Sequence, residues 1–354
     1  MVKKYLFFIS IILSIIFIFG ITVKAELPEI ELEIPKSIHL KAEKMIFSEN
    51  GAKFAILFQE TRPTKRRRQV IYIYDFVQKK WSKGVDLSEG FPEELEPLAF
   101  NYDGSRLAFR LREDLLILDT VNNKLTHHIK GVGSMTKASF SYDDRFLAFL
   151  MNAEWEVPTS LVLLDLKASD QESALIPCVE YSGELKAAGP ITWSKDNKQI
   201  YYVEEYTWGT VNSLGVLKRY SVNEKKVEEV YALKASSSRV TKYFFSPNGQ
   251  YLAMIIRELD ESLRKSRYGL LIQRQGEFVY GTMLENWQDE VELDITDNFS
   301  TAGWIKNEKF YWINRDKMGS KLYIYNLLEK QLIKYNFKEH IYIAPAGMII
   351  KLVR

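Results

Sequence analysis

Residues able to carry chemistry are sparse in this 354-residue chain, and their spacing argues against a dedicated catalytic centre. The four histidines are His39, His127, His128 and His340. His127 and His128 are adjacent, so on a strand they point to opposite faces and do not hold one metal between them. They read as solvated residues of an outer strand. No histidine pair has the spacing of a helical zinc site, and there is no Cys-x-x-Cys. The single cysteine, Cys178, reads as a small buried side chain rather than a reactive thiol. Carboxylates cluster in Asp289-Glu290-Val291-Glu292-Leu293-Asp294, with Asp297 nearby, and again at Glu89, Glu93, Glu94 and Glu96. Calcium takes oxygen ligands of this kind, but the spaced Asp/Asn-Gly pattern of a calcium loop is missing, so both clusters read as solvated surface. A Gly-x-Ser-x-Gly elbow, a phosphate loop and a dinucleotide fingerprint are missing too. The expectation is no catalytic residue, no metal and no cofactor.

Residues suited to recognition are easier to find. Lys65-Arg66-Arg67-Arg68 forms one basic run, and Arg264, Lys265 and Arg267 form another. Trp155 and the Tyr206-Thr207-Trp208 segment supply large aromatics. Arginine beside aromatic anchors is the usual makeup of an interaction hot spot. Each group also has a plainer reading, as a solvated loop for the basic runs and as loop packing for the tryptophans.

The elements that would position these residues follow from a repeat. An aromatic residue and a polar turn recur as Phe47-Ser48-Glu49-Asn50-Gly51, Phe100-Asn101-Tyr102-Asp103-Gly104 and Phe140-Ser141-Tyr142-Asp143-Asp144. Further copies are Trp193-Ser194-Lys195-Asp196-Asn197, Phe245-Ser246-Pro247-Asn248-Gly249 and a decayed Trp304-Ile305-Lys306-Asn307. Their spacing of roughly 40 to 59 residues falls in the range of propeller blades and solenoid units. Each turn is followed by short runs rich in β-branched and aromatic residues, such as Phe54–Phe58 and Val70–Tyr74, and then by a more polar run. No stretch after residue 25 carries the three-and-four apolar spacing of helices. Four antiparallel strands per unit, with the outermost the most charged, predict an all-β propeller. Two end pieces, Leu27–Leu40 and Ile341–Val353, would each give two short strands to a clasped seventh blade. Seven blades are favoured, with six and packed tails as the alternative.

The Phe245–Gly249 turn and the alternating apolar strand after it resemble the TolB-type repeat, also found in propellers of prolyl-oligopeptidase-like peptidases. The other copies keep less of that pattern. The resemblance implies the fold and no particular activity, because such propellers bind proteins, peptides or carbohydrates, or gate an attached enzyme. No attached hydrolase domain is expected here.

Met1–Ala25 begins with Lys3 and Lys4, runs apolar to Val23 and ends Val23-Lys24-Ala25. This is the pattern of a secretory signal peptide, and its apolar length also suits an uncleaved anchor. Residues 1–25 are thus expected to be a signal or anchor, and residues 26–354 the propeller, outside the cytoplasmic membrane. One cysteine precludes an internal disulfide, which suits a bacterial exported protein stable through its core alone. A net charge of +2 gives no long-range field for nucleic acid, and 46% apolar residues indicate a folded chain. In a four-stranded meander the connections alternate between the two ends of the sheet. Here one end has tight turns, and the other has Gln59–Gln69, Met151–Ser160, Glu204–Leu214 and Arg257–Gly269. Long connections tend to carry function. The expected function is therefore a non-enzymatic module binding a protein or envelope glycan through Lys65, Arg66, Arg67, Arg68, Trp155, Tyr206, Trp208, Arg264 and Arg267. Membrane contact is expected only through residues 1–25. The alternatives are an enzyme, a lyase or hydrolase, with a polar or metal site in the axial channel, and a self-associating structural protein.

Overall fold

The computed structural model describes residues 27–34, 41–61, 67–87, 95–152, 160–168, 175–179, 185–206, 216–232, 239–246, 248–260, 265–274, 277–283, 288–289, 302–316, 319–339, 341–345 and 347–353. It begins with β1 (Glu29–Glu33). Blade 1 is β2 (Lys41–Phe47), β3 (Lys53–Thr61), β4 (Arg67–Asp75) and β5 (Lys80–Leu87). Blade 2 is β6 (Leu95–Phe100), β7 (Arg106–Leu111), β8 (Asp114–Asp119) and β9 (Lys124–Ile129). Blade 3 is β10 (Ser134–Phe140), β11 (Phe146–Asn152), β12 (Ser160–Asp165) and β13 (Leu175–Val179). Blade 4 is β14 (Leu185–Trp193), β15 (Gln199–Tyr206), β16 (Val216–Ser221) and β17 (Lys226–Ala232). Blade 5 is β18 (Arg239–Phe245), β19 (Leu252–Asp260), β20 (Lys265–Arg274) and β21 (Glu277–Met283), with β22 (Gln288–Asp289) added beside β20. Blade 6 is β23 (Ala302–Ile305), β24 (Lys309–Asp316), β25 (Gly319–Asn326) and β26 (Gln331–Phe337). The last two strands are β27 (Ile341–Ile343) and β28 (Ile349–Val353). Each of the six blades is an antiparallel meander in chain order.

Among the described residues, the seventh blade has three strands drawn from both ends of the chain, as a clasp requires. Its order is β1-β28-β27, so one strand comes from the N-terminal side and two from the C-terminal side. β1 pairs with β28 in parallel, Leu32 opposite Leu352. The Ile38–Leu40 run lies outside the described residues. Lys351 binds both Glu29, at 2.6 Å, and Glu339, at 3.0 Å, and ties the clasp further. These partners are partly exposed, so the gain is about 1 kcal/mol or less.

Seven apolar clusters, one between each pair of adjacent blades, close the ring. The middle strands explain why. Phe54, Ile56 and Phe58 of β3 pack toward the seventh blade, whereas Ala55 and Leu57 pack toward blade 2. With neighbours on both faces, a strand reads as a continuous apolar run instead of alternating. All five of those residues are buried. The outer strands β9 and β26 are largely exposed, which is the polarity gradient the sequence predicts.

The recurring turn is a hydrogen-bonded lock. In blade 3, Ser141 Oγ accepts the Phe146 N–H at 2.9 Å and donates to Asp143 Oδ1 at 2.6 Å. The same pair of bonds recurs at Ser48, Ser194 and Ser246. Asn101 reproduces the acceptor role through Oδ1, at 2.8 Å from the Arg106 N–H. The fifth position of the motif has positive φ, which suits Gly51, Gly104 and Gly249. Asp144 (φ 57°) and Asn197 (φ 60°) occupy the same conformation without being glycine. Both compensate by gripping the preceding blade: Asp144 accepts from Asn101 Nδ2 at 3.0 Å, and Asn197 Oδ1 accepts the Tyr142 N–H at 2.6 Å. The motif tryptophans do likewise. Trp193 Nε1 donates to Ser139 O and Trp304 Nε1 to Phe244 O, each at 2.9 Å on the previous inner strand.

Candidate functional site

The first strands of neighbouring blades touch one another, so they line the axis. The turn that leaves each first strand therefore rims the axial mouth at one end of the ring. There the third position of the repeat converges: Glu49, Tyr102, Tyr142, Lys195 and Lys306 line one cavity of about 580 Å³. Asn50, Asn307 and Pro345 complete its lining. Tyr142 donates its hydroxyl to Glu49 Oε1 at 2.9 Å, linking blades 3 and 1 across blade 2. The Tyr102 and Tyr142 rings lie 6.0 Å apart. Glu49 is open to water but walled by the neighbouring turns. That enclosure raises its carboxyl pKa, while Tyr142 and Lys195 pull it back down. Burial, then the charge of Glu49, raises the Tyr142 phenol.

Deeper along the axial strands lies a charge cluster that sequence reading missed. Glu96 of β6 pairs with Lys44 of β2 and, at 2.9 Å, with Arg110 of β7. Burial lowers the Lys44 pKa to about 8 against the opposing pull of Glu96. Lys137 of β10 is reachable by water yet surrounded by protein, and partial desolvation lowers its pKa against the same carboxylate. A β-bulge precedes both lysines, between Ala42 and Lys44 and between Met135 and Lys137. β18 has the same bulge at the matching register, before Lys242, whereas β6 and β14 are irregular at other spacings. Bulges re-aim the side chains beside them. Glu96, expected as surface, is thus partly buried between the first strands of blades 1 and 2, because it lies on β6 and not in the acidic run before it. Among the described residues, no group of three His, Cys, Asp or Glu could hold a metal ion.

Of the residues expected to recognise a partner, Arg67, Arg68, Tyr206 and Arg267 belong to the opposite end of the ring. Lys65, Arg66, Trp155, Trp208 and Arg264 lie outside the described residues. Arg67 and Arg68 fall in β4, Tyr206 at the end of β15 and Arg267 in β20. The segments Gln59–Gln69 and Arg257–Gly269 are not simple loops. β3 and β4 stay paired to Thr61↔Arg67, and β19 and β20 to Asp260↔Lys265. Both hairpins have nine register pairs, against six in blades 2, 3 and 4, so each forms an arm roughly 10 Å longer. Backbone pairing sustains the arms, so their sequences need no apolar alternation. In register, Arg68 faces Glu60, Arg267 faces Glu258 and Lys265 faces Asp260. Residues 60–68 hold five basic residues and one acid, whereas residues 258–267 hold three of each. Only the first arm is net cationic. Blades 2 and 6 make the corresponding connection with two residues, and the 166–174 connection at the other end is long, so the asymmetry of loops is real but incomplete.

Cys178 is half-buried rather than fully buried, and burial pushes its thiol up to about 11, which keeps it unreactive near neutrality. His127 meets Leu166 O at 3.2 Å and His128 meets Asp114 at 2.7 Å, separate partners as their opposite faces require. The acidic run after Asp289 and residues 1–25 lie outside the described residues. No helix among the described residues is long and apolar enough to cross a membrane.

No family model matches the chain, and no curated protein matches it. Solved structures do. The propeller domain of the Trilobed protease from Pyrococcus furiosus aligns over 86% of this chain and 87% of its own, at 16% identity and a TM-score of 0.52. Hydrazine synthase from Kuenenia stuttgartiensis aligns over 89% and 94%, at 13% identity and a TM-score of 0.54. The likeness is one of fold. A prolyl endopeptidase aligns over 84% of this chain at 11% identity and a TM-score of 0.53, and this chain spans 42% of that protein's length. Such matches establish the propeller architecture, as the repeat predicts, and leave activity to be argued from the sites. The Pyrococcus propeller is described as having an open velcro topology, whereas here β1 and β28 pair.

Proposed function

We propose that the protein is a non-enzymatic binding module held outside the cytoplasmic membrane, engaging a protein or envelope glycan through the rim that carries the first arm. The observation that supports this reading is the paired extension of β3 and β4 beyond the adjoining hairpins, ending in a basic run. A ladder fixes the arm's backbone more firmly than a free loop would, which lowers the ordering cost of recognition. Lys65, Arg66, Arg67 and Arg68 supply the charge for an anionic partner. Trp155, Tyr206, Trp208, Arg264 and Arg267 add aromatic and cationic groups to the proposed recognition set. Residues 1–25 direct export and, where uncleaved, provide the tether.

The test is crosslinking on intact cells, with the captured molecule identified and capture repeated with Arg66, Arg67 and Arg68 replaced by serine. Capture should fall at least about tenfold at low salt, and capture by the parent should weaken as salt rises. Equal capture by both proteins would exclude the arm. The mass of the mature N-terminus separates a cleaved signal from a retained anchor.

A further inference from the structure

The axial mouth at the tight-turn end lies on the opposite face from that rim, and its unspent hydrogen-bonding capacity is one-sided. Glu49 is the single carboxylate in the lining, and it is already engaged by Tyr142 and faced by Lys195. Asn50 Oδ1 accepts from Ser48 Oγ at 2.9 Å and from the Ala52 N–H at 2.8 Å. Asn307 Oδ1 accepts the Asn248 N–H at 2.9 Å. Both amides therefore have their NH₂ ends as the part left for a ligand. Lys195 and Lys306 are exposed. Neither has a carboxylate within ion-pairing distance among the described residues, in contrast to Lys44, Lys218 and Lys351. What remains is two ammonium groups and two amide donors beside two tyrosine rings, in a cavity the size of small-molecule sites.

We propose that this mouth binds a small organic molecule bearing an oxyanion, a carboxylate or a phosphate monoester, with the anion between Lys195 and Lys306 and an apolar or aromatic body against Tyr102 and Tyr142. A cationic ligand would find its one carboxylate partner occupied and would face two exposed lysines, neither within ion-pairing distance of a carboxylate among the described residues. A neutral sugar would lack the charge those lysines complement, although it could use the rings. The position that forms the site is the variable third residue of the repeat. In the serine-bearing turns the flanking Ser and Asp/Asn positions make the lock, so the third can change chemistry without changing the fold.

Benzoate, phenyl phosphate, benzyl alcohol and benzylamine share one ring and differ in charge, and titration calorimetry of the intact propeller with each tests the site. At least one anion should bind, and benzyl alcohol and benzylamine should bind at least about tenfold more weakly. The tighter of the two anions then names the oxyanion. Replacing Lys195 and Lys306 with alanine should cost at least about tenfold each, of the order of one charge-assisted hydrogen bond apiece. Lys195→Arg should keep most of the affinity. Both lysines are exposed, so folding should survive, which a thermal melt checks. Tighter binding of benzylamine, no binding by either anion, or anion binding unchanged in the double alanine variant would overturn the proposal.

Discussion

The two ends of the ring are built on different principles. At the tight-turn end one hydrogen-bonded lock recurs in blades 1, 3, 4 and 5, down to the same serine accepting the backbone N–H five residues on. At the other end, blades 1 and 5 raise nine-rung arms while blade 2 closes in two residues. The uniform end holds the inner strands in place and still leaves one free position per turn, which the ring gathers into a cavity. The variable end departs from the core, and its length costs the fold little. Even the two arms differ. β20 is covered by β22 at Lys265 and Ser266, whereas the outermost rungs of β4 lie beyond its ladder with β5, which starts at Gln69.

Substitutions should rank by how deeply they reach into the repeated part. Phe109→Ala, at a fully packed interface of blades 1 and 2, should cost about 3–5 kcal/mol in denaturant unfolding. Glu96→Gln should cost about 3 kcal/mol, because it leaves Lys44 and Arg110 without their shared carboxylate. Ser141→Ala should cost about 1–2 kcal/mol by orphaning the buried Phe146 N–H. The Arg66–Arg68 serine variant should lie within about 0.5 kcal/mol of the parent, since the change is confined to the arm. An arm substitution as costly as Ser141→Ala would erase the distinction between the ends.

pH sharpens the same contrast. Lys44 has its pKa lowered to about 8 by burial, against an ordinary value near 10.5. Below about 8 both folded and unfolded chains hold this proton. Between there and 10.5 the unfolded chain holds more, so stability contributed by this group rises with pH. The parent should therefore gain on Lys44→Met over that window in paired unfolding titrations. A constant difference between the two proteins would mean that Lys44 is not desolvated.

Much of this was legible from residues alone, and the reasons differ by site. The Phe-Ser-x-Asn-Gly turns are readable because the lock demands a small hydroxyl, an acceptor and a residue tolerant of positive φ at fixed spacing. Glu96 was not readable. It follows Glu89, Glu93 and Glu94 and looks like their continuation, and only register opposite Arg110 and proximity to Lys44 reveal its role. The arms read as loops in the sequence because strands beyond a core need no apolar pattern. The third motif position looks like filler until the ring closes, since residues at least 40 apart in sequence then meet at one mouth. The parallel pairing of β1 with β28 is not written in either end's residues, which show only that both ends suit strands.

The interfaces, the mouth and the two rims all presuppose that the chain's ends meet. Leu32 and Leu352 are register partners in the clasp, and Cys178 is the sole native thiol. With Cys178 replaced by serine and Leu32 and Leu352 by cysteine, oxidation should form an intramolecular disulfide that raises the unfolding temperature. Persistently free thiols in the folded, oxidised protein would contradict the closed seven-bladed ring.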